Sequence, residues 1–154
     1  MKGNKDLITV LNSLLADELT AINQYMVHSE MNDNWRYEKL HKTIEKRAID
    51  EMKHAEKHIG RILFLEGLPI VSKLNPLHIG SDVKVMFEND KAAELGAVKG
   101  YNDGIQVCVE AKDHGTKEML EAILQDEEEH LDYIETQLGQ IEQLGLDNYL
   151  ITVK

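Results

Sequence analysis

Two Glu-x-x-His segments are the residues whose types and spacing point first to chemistry. Glu51 and His54 form one segment, and Glu127 and His130 form the other. Residues three apart on an α-helix point to nearly the same face, so each pair could direct a carboxylate and an imidazole at one point. Either pair alone is common on a solvated acidic helix, and the second pair lies within a charge run. Their significance therefore depends on what accompanies them.

Two further glutamates, Glu18 and Glu94, extend the two pairs into an internal sequence repeat. Glu51 follows Glu18 by 33 residues, and Glu127 follows Glu94 by the same interval. A shift of 76 positions maps the first set onto the second, including the histidines. In a helical bundle with approximate two-fold symmetry, such a repeat brings six side chains to a common centre. The six candidate metal ligands and catalytic residues are Glu18, Glu51, His54, Glu94, Glu127 and His130.

The four glutamates occupy positions where their helices should be apolar. Buried unpaired carboxylates are costly, and a bundle avoids them unless a cation compensates their charge. Four carboxylates and two imidazoles form a mostly hard ligand set that suits iron or manganese. A mononuclear zinc hydrolase needs only three protein ligands and fits this set poorly. The pattern therefore predicts a di-metal centre for two-electron chemistry with oxygen or peroxide.

Long helices must position these ligands, and apolar residues at helical spacing predict four of them. The predicted helices cover about residues 5–34, 40–66, 83–113 and 116–144. Thr116 is expected to cap the fourth helix, and residues 146–153 are expected to form a short terminal helix or tail. Both prolines fall within the connection 67–81, while the other turns are short. This spacing favours an all-α, antiparallel four-helix bundle with one long crossover connection.

Composition narrows the function classes. The 154 residues carry a net charge of -11, with 17 Lys plus Arg against 28 Asp plus Glu, which argues against a nucleic-acid partner. The single cysteine, Cys108, excludes an internal disulfide framework and is expected to be a small buried residue. No apolar run approaches the ~18 residues of a membrane span. The N-terminal segment lacks the apolar core of a signal peptide, so a cytoplasmic location is expected.

At the level of longer motifs, the sequence resembles the bacterioferritins over essentially its whole length. The motifs are NSLLADELTAINQY (12–25), IDEMKHAEKHIGRILFLEGLP (49–69), Glu94 and LQDEEEHLDYIETQL (124–138). The resemblance implies one ferritin-like di-iron domain over residues 1–154, with Glu51 and Glu127 bridging the two irons. Glu18 with His54 would complete one iron site, and Glu94 with His130 the other. It further implies a twenty-four-subunit shell built of dimers, which oxidises Fe2+ with O2 or H2O2 and stores ferric mineral.

The same resemblance implies b-type haem shared between two subunits, held by one methionine from each. Met52 is the matching residue, and a step of one residue rotates it about 100° around the helix from Glu51. The resemblance also implies a small [2Fe-2S] ferredoxin as reductant. A haem-free ferritin or a di-metal peroxide-scavenging protein stays as the alternative, and neither would need Met52. A non-catalytic bundle in a regulatory or structural assembly would have no reason to place carboxylates at four core positions.

Three residues near the ligands carry further expectations. Tyr25 lies seven residues after Glu18, on the same face, and is either a hydrogen-bond donor to the site or an ordinary core tyrosine. His58, one turn after His54, is expected at the bundle edge. Lys46 stands where some bacterioferritins carry a histidine of an accessory inner-surface iron site. An ion pair between Lys46 and Asp50 is expected instead.

Overall fold

Four long helices and one short helix form the chain in the computed structural model, which describes residues 1–154. The helices are α1 (Lys5–Asn34), α2 (Glu38–Phe64), α3 (Val83–Glu110), α4 (His114–Leu144) and α5 (Leu146–Thr152). α1 packs along α2 and α3 packs along α4, and the two hairpins join through the long connection 65–82. The predicted all-α four-helix bundle with one crossover and a short C-terminal helix is confirmed. No helix combines the length and apolarity needed to cross a membrane.

The helix ends follow from local hydrogen bonding. Asn4 caps α1 by accepting from the backbone N–H groups of Asp6 and Leu7. α2 ends two residues before the predicted position, because Glu66 adopts a left-handed φ of 61°. The N–H of Gly67 then donates to the carbonyl of Ile62, which satisfies an otherwise unpaired helix-end carbonyl.

The start of α4 corrects one prediction. α4 begins at His114, and Asp113 is the cap, since its side chain accepts from the backbone N–H of Thr116. Thr116 is instead a fully buried residue of the first turn whose hydroxyl donates to Asp113 Oδ2 at 2.7 Å. Arg61 also contacts Asp113 at 2.9 Å, so this corner joins α2 to α4. Expecting Thr116 to cap α4 was therefore wrong.

Two apolar clusters fill the bundle, one toward each end. The first includes Leu7, Leu11, Leu15, Ile62, Cys108, Leu120 and Ile123. The second includes Leu40, Ile44, Phe87, Ile134, Ile141 and Tyr149. On each long helix, the predicted glutamate falls between the segments that supply these two clusters. The sequence thus places a polar layer at mid-bundle, enclosed by apolar packing on both sides.

A buried polar network attaches the crossover to the bundle. The backbone N–H of Gly80 donates to His28 Nε2 at 3.0 Å, and His28 Nδ1 lies 2.9 Å from Asp90 Oδ1. Arg47 donates to the other Asp90 oxygen at 3.2 Å, and all three side chains are buried. A Cβ on Gly80 would lie only 2.3 Å from the backbone nitrogen of Met86. Gly80 is therefore required for the close approach of the crossover to α3.

Candidate metal centre

The six predicted ligands converge at the middle of the bundle in two overlapping sets. Within each set the ligand atoms all lie within 4.8 Å of one another. Glu51 and Glu127 belong to both sets, which is the geometry required of bridging carboxylates. All five residues other than His130 are at most 3% exposed. The sets are Glu18, Glu51, His54 and Glu127, and Glu51, Glu94, Glu127 and His130.

Both histidines present Nδ1 to the centre. His54 Nδ1 lies 3.1 Å from Glu51 Oε2 and 3.3 Å from Glu127 Oε1. His130 Nδ1 lies 2.9 Å from Glu51 Oε1 and 3.2 Å from Glu127 Oε2. The two shared glutamates thus each face both rings, whose centroids are 6.4 Å apart. Each Nδ1 is positioned to ligate a cation once it has lost its proton.

An aspartate stands behind each ring. His54 Nε2 lies 2.9 Å from Asp126 Oδ2, and His130 Nε2 lies 3.5 Å from Asp50 Oδ2. Asp126 lies at hydrogen-bonding distance, so it fixes the orientation of the His54 ring and places its remaining proton on Nε2. Asp50 also accepts from Lys46 at 3.0 Å, as predicted. Sequence reasoning missed the role of both aspartates, although the shift of 76 positions that pairs the ligands also pairs Asp50 with Asp126.

Two buried tyrosines hold the outer glutamates from opposite helices. Tyr25 on α1 donates to Glu94 Oε1 at 2.5 Å, so of the two roles left open for it the structure favours the hydrogen-bond donor. Tyr101 on α3 donates to Glu18 Oε1 and was not singled out from the sequence. The shift of 76 positions also relates these two tyrosines. His58, expected at the bundle edge, is fully buried with Nε2 2.6 Å from the Tyr101 hydroxyl, so that expectation was wrong.

Burial and neighbouring charges shift the pKa values of the clustered side chains. Burial raises the pKa of Glu94 to about 8 and that of Glu18 well above its usual range. Burial alone would lower the pKa of His130, but the close contacts of its ring with the Glu127 and Glu51 carboxylates raise it to about 12. The pKa of His54 is raised for the same reasons. At neutral pH Glu94 and His130 therefore both carry protons when no cation is bound.

Unsatisfied oxygens show that these residues fit a pair of cations. Glu51 Oε1, Glu94 Oε2 and Glu127 Oε1 are buried and form no hydrogen bond. Buried polar atoms are rarely left without a partner, and a cation between the two ligand sets would satisfy all three oxygens. Carboxylate oxygens with imidazole nitrogens are ligands suited to iron or manganese.

A cavity of about 320 Å³ reaches the centre from the face formed by α1, the crossover and α3. Four ligand carboxylates contribute to its lining: Glu18, Glu51, Glu94 and Glu127. Nearer the crossover it is lined by Asp17, whose Oδ1 accepts from Asn75 Nδ2 at 2.6 Å. The volume corresponds to about ten waters at ~30 Å³ each. Ions and small oxidants can therefore be accommodated beside the ligands.

Comparison with known proteins agrees with this geometry. The ferritin-like domain family matches residues 8–144. Bacterioferritins from Mycobacterium tuberculosis and Streptomyces coelicolor are 43% and 44% identical, over 97% and 99% of this chain and 94% and 92% of their own lengths. The chain belongs to the bacterioferritin family. A Rhodobacter capsulatus bacterioferritin is 41% identical over 98% of this chain and 94% of its own length. Bacterioferritins are oligomeric iron-storage proteins, and the buried cluster is compatible with a di-iron site.

Met52 lies on the outside of the bundle. Met52 is 45% exposed, whereas the adjacent Glu51 is 1% exposed. Met52 lines a shallow cavity of about 290 Å³ on the α1–α2 flank, together with Met26 and Ile49. These neighbours are also exposed, so the flank presents an apolar surface around a thioether. The outward orientation expected from the one-residue step is confirmed.

Proposed function

We propose that this chain is a ferroxidase in which the six clustered side chains bind two ferrous ions as substrate. The observation that supports this proposal is the overlap of the two ligand sets through Glu51 and Glu127. Glu51 and Glu127 bridge the ions, Glu18 with His54 completes one half-site, and Glu94 with His130 completes the other. Four carboxylates then balance the charge of two divalent ions in a buried layer.

The reaction transfers two electrons. Two ferrous ions give one electron each to dioxygen, which takes up two protons and becomes hydrogen peroxide. With hydrogen peroxide as oxidant, the same two electrons and two protons yield two waters. The ferric product leaves the centre and is stored as mineral.

The assembly we propose is a cytoplasmic homo-oligomeric shell of twenty-four subunits built of dimers. The apolar flank of α1 and α2 supports a dimer interface, since Met26 on α1 and Ile49 and Met52 on α2 are each at least 40% exposed. Exposed apolar surface of this kind commonly marks an interaction site. The net charge of -11 suits attraction of ferrous ions rather than a nucleic-acid partner.

The same flank fits one side of a b-type haem shared by two subunits. Met52 offers a thioether within an apolar surround, and a symmetric partner would offer the same group from the other side. Haem supplies a one-electron path between the outside of the shell and its store when it is bound. The electron source for iron release that we propose is a [2Fe-2S] ferredoxin.

Stopped-flow oxidation of Fe2+ tests the ligand assignment. Glu18→Ala and Glu127→Ala should slow oxidation at least ten-fold, because each removes a charge and a ligand, while both variants still assemble. Glu128→Ala is the matched control, since Glu128 is the exposed neighbour of Glu127 and should leave the rate unchanged. Wild-type oxidation rates in both ligand variants would refute the assignment.

Visible absorption tests the haem separately and discriminates against a haem-free ferritin or a peroxide-scavenging protein. Met52→Leu keeps the shape and apolarity of the side chain but removes the thioether. The Soret band should be lost while ferrous oxidation stays near wild type. Met26→Leu, on the same flank, should keep the band. A Met52→Leu protein that purifies with its Soret band would exclude Met52 as the ligand.

A further inference from the structure

A buried hydrogen-bonded chain stands behind one of the two half-sites. The Tyr101 hydroxyl contacts Glu18 Oε1 on one side and His58 Nε2, at 2.6 Å, on the other. His58 and Tyr101 are stacked with ring centroids 5.7 Å apart. Both side chains are at most 1% exposed, so water cannot replace either contact.

The direction of these hydrogen bonds follows from counting protons. His58 Nδ1 is buried and makes no hydrogen bond. Burial, with the nearby charge of His54, lowers the pKa of His58 to about 3, so the ring is neutral and carries one N–H. A proton on Nδ1 would bury an unpaired donor, which is costlier than an unpaired acceptor and rarer in proteins. The proton therefore lies on Nε2.

A proton on Nε2 fixes the rest of the chain. His58 Nε2–H donates to the Tyr101 oxygen, so the single Tyr101 proton cannot point to His58. It must point to Glu18, the other group in contact with the hydroxyl. Hydrogen bonds linked in this way strengthen one another. The Glu18 carboxylate thus accepts a hydrogen bond from the Tyr101 hydroxyl, and His58 determines the orientation of that hydroxyl.

The other half-site has no histidine hydrogen-bonded to its tyrosine. Tyr25 donates to Glu94, but no histidine stands behind it, and the position related to His58 by the shift of 76 is Ile134. Tyr25 instead lies under the Arg47 guanidinium, whose carbon is 4.9 Å from the ring centroid. The two halves therefore share ligands and tyrosines but differ in what orients the tyrosine.

We propose that Tyr101 is a positioning residue for Glu18, oriented by His58, and that this pair sets the divalent-cation affinity of the Glu18–His54 half-site alone. The inference rests on the proposed function. Losing one hydrogen bond to a charged carboxylate corresponds to about a ten-fold loss of affinity. Losing only the support of His58 leaves Tyr101 in contact with Glu18, so the loss should be about three-fold.

Titration of the assembled protein with Co2+, a redox-silent probe followed by visible absorption, tests this. Each half-site is isolated in turn: His130→Ala leaves the Glu18–His54 half, and His54→Ala leaves the other. Tyr101→Phe should weaken Co2+ binding about ten-fold in the first background and not at all in the second. Tyr25→Phe is the matched control with the reverse pattern. A purely structural role for Tyr101 would weaken both halves together.

A second comparison tests whether His58 acts through Tyr101. His58→Leu should weaken the isolated Glu18–His54 half about three-fold, and His58→Leu combined with Tyr101→Phe should be no weaker than Tyr101→Phe alone. Tyr101→Phe removes a single oxygen, so it keeps the test open if His58→Leu does not fold. Equal weakening of both halves, no weakening, or additive losses would overturn the inference. A wild-type protein that does not bind two Co2+ per chain would instead overturn the proposed function.

Discussion

Cation binding at the centre should release protons. Burial raises the pKa of Glu94 to about 8, so Glu94 carries a proton at pH 6.5 when no cation is bound. The carboxylates facing His130 raise the pKa of its ring to about 12 despite burial, so His130 is protonated as well. Both groups must lose a proton before they can ligate. We therefore expect two divalent cations to displace at least two protons.

The pH dependence follows from this count. At pH 6.5 Glu94, with a pKa of about 8, is almost fully protonated, and so is His130, with a pKa of about 12. Because protons are released, raising the pH favours binding. Two protons per pair of ions correspond to about 100-fold per pH unit for the two ions together. Above pH 8 Glu94 has already lost its proton, so the count falls by one.

Isothermal titration calorimetry with Co2+ measures the count, since the heat of binding in buffers of different ionisation enthalpy reports the protons released. Glu94→Gln is the matched variant, because Gln has no proton to lose, and it should release one proton fewer at pH 6.5. Fewer than two protons per pair of ions at that pH would show that the metal-free cluster is not charged as described. An unchanged count in Glu94→Gln would remove Glu94 from the exchange.

Three further predictions concern stability. The folded-state pKa of Glu94 is about 8, above its ordinary value of 4.5. The metal-free protein should therefore lose stability as the pH rises from 4.5 through 8, by up to about 5 kcal/mol. Glu94→Gln should melt at a higher temperature than wild type at pH 8.5 and show no such difference at pH 4.5. Asp90→Asn should lower the free energy of unfolding in urea by about 3–5 kcal/mol, because it leaves a buried guanidinium without its charge partner, and an unchanged midpoint would contradict this. Gly80→Ala should lower the free energy of unfolding by about 1–3 kcal/mol, because the added Cβ would collide with the backbone of α3. Gly96→Ala is the matched control. Nothing lies within 4 Å of its added Cβ, so it should leave the melting temperature unchanged.

The helices could be predicted from the sequence because apolar periodicity is a property of each segment alone. The ends of the helices were harder to predict from the sequence, and the start of α4 is an example. Asp113 and Thr116 are both residue types that cap helices, and only the backbone conformation shows that the chain turns into the helix at Asp113. The end of α2 likewise depends on the left-handed conformation of Glu66, a residue type that gives no warning of it.

The ligands could be predicted because each Glu-x-x-His pair lies on one helix and the repeat supplies the second half. Tyr101, Asp126 and His58 could not, because their contacts join different helices whose relative rotation no single helix determines. The repeat contained part of the missing information. Applied to Tyr25 and Asp50, the shift that relates the ligands leads directly to Tyr101 and Asp126.

The 76-residue shift also says something about how such a site can be built. One hairpin, α1 with α2, carries a complete half of the inventory: Glu18, Tyr25, Asp50, Glu51 and His54. Two identical copies of that hairpin, related by a dyad, would supply every ligand type, both tyrosines and both outer aspartates. A single chain can therefore supply through one crossover what two separate hairpins would supply through a dyad. The two halves differ at the position that holds His58 in one and Ile134 in the other.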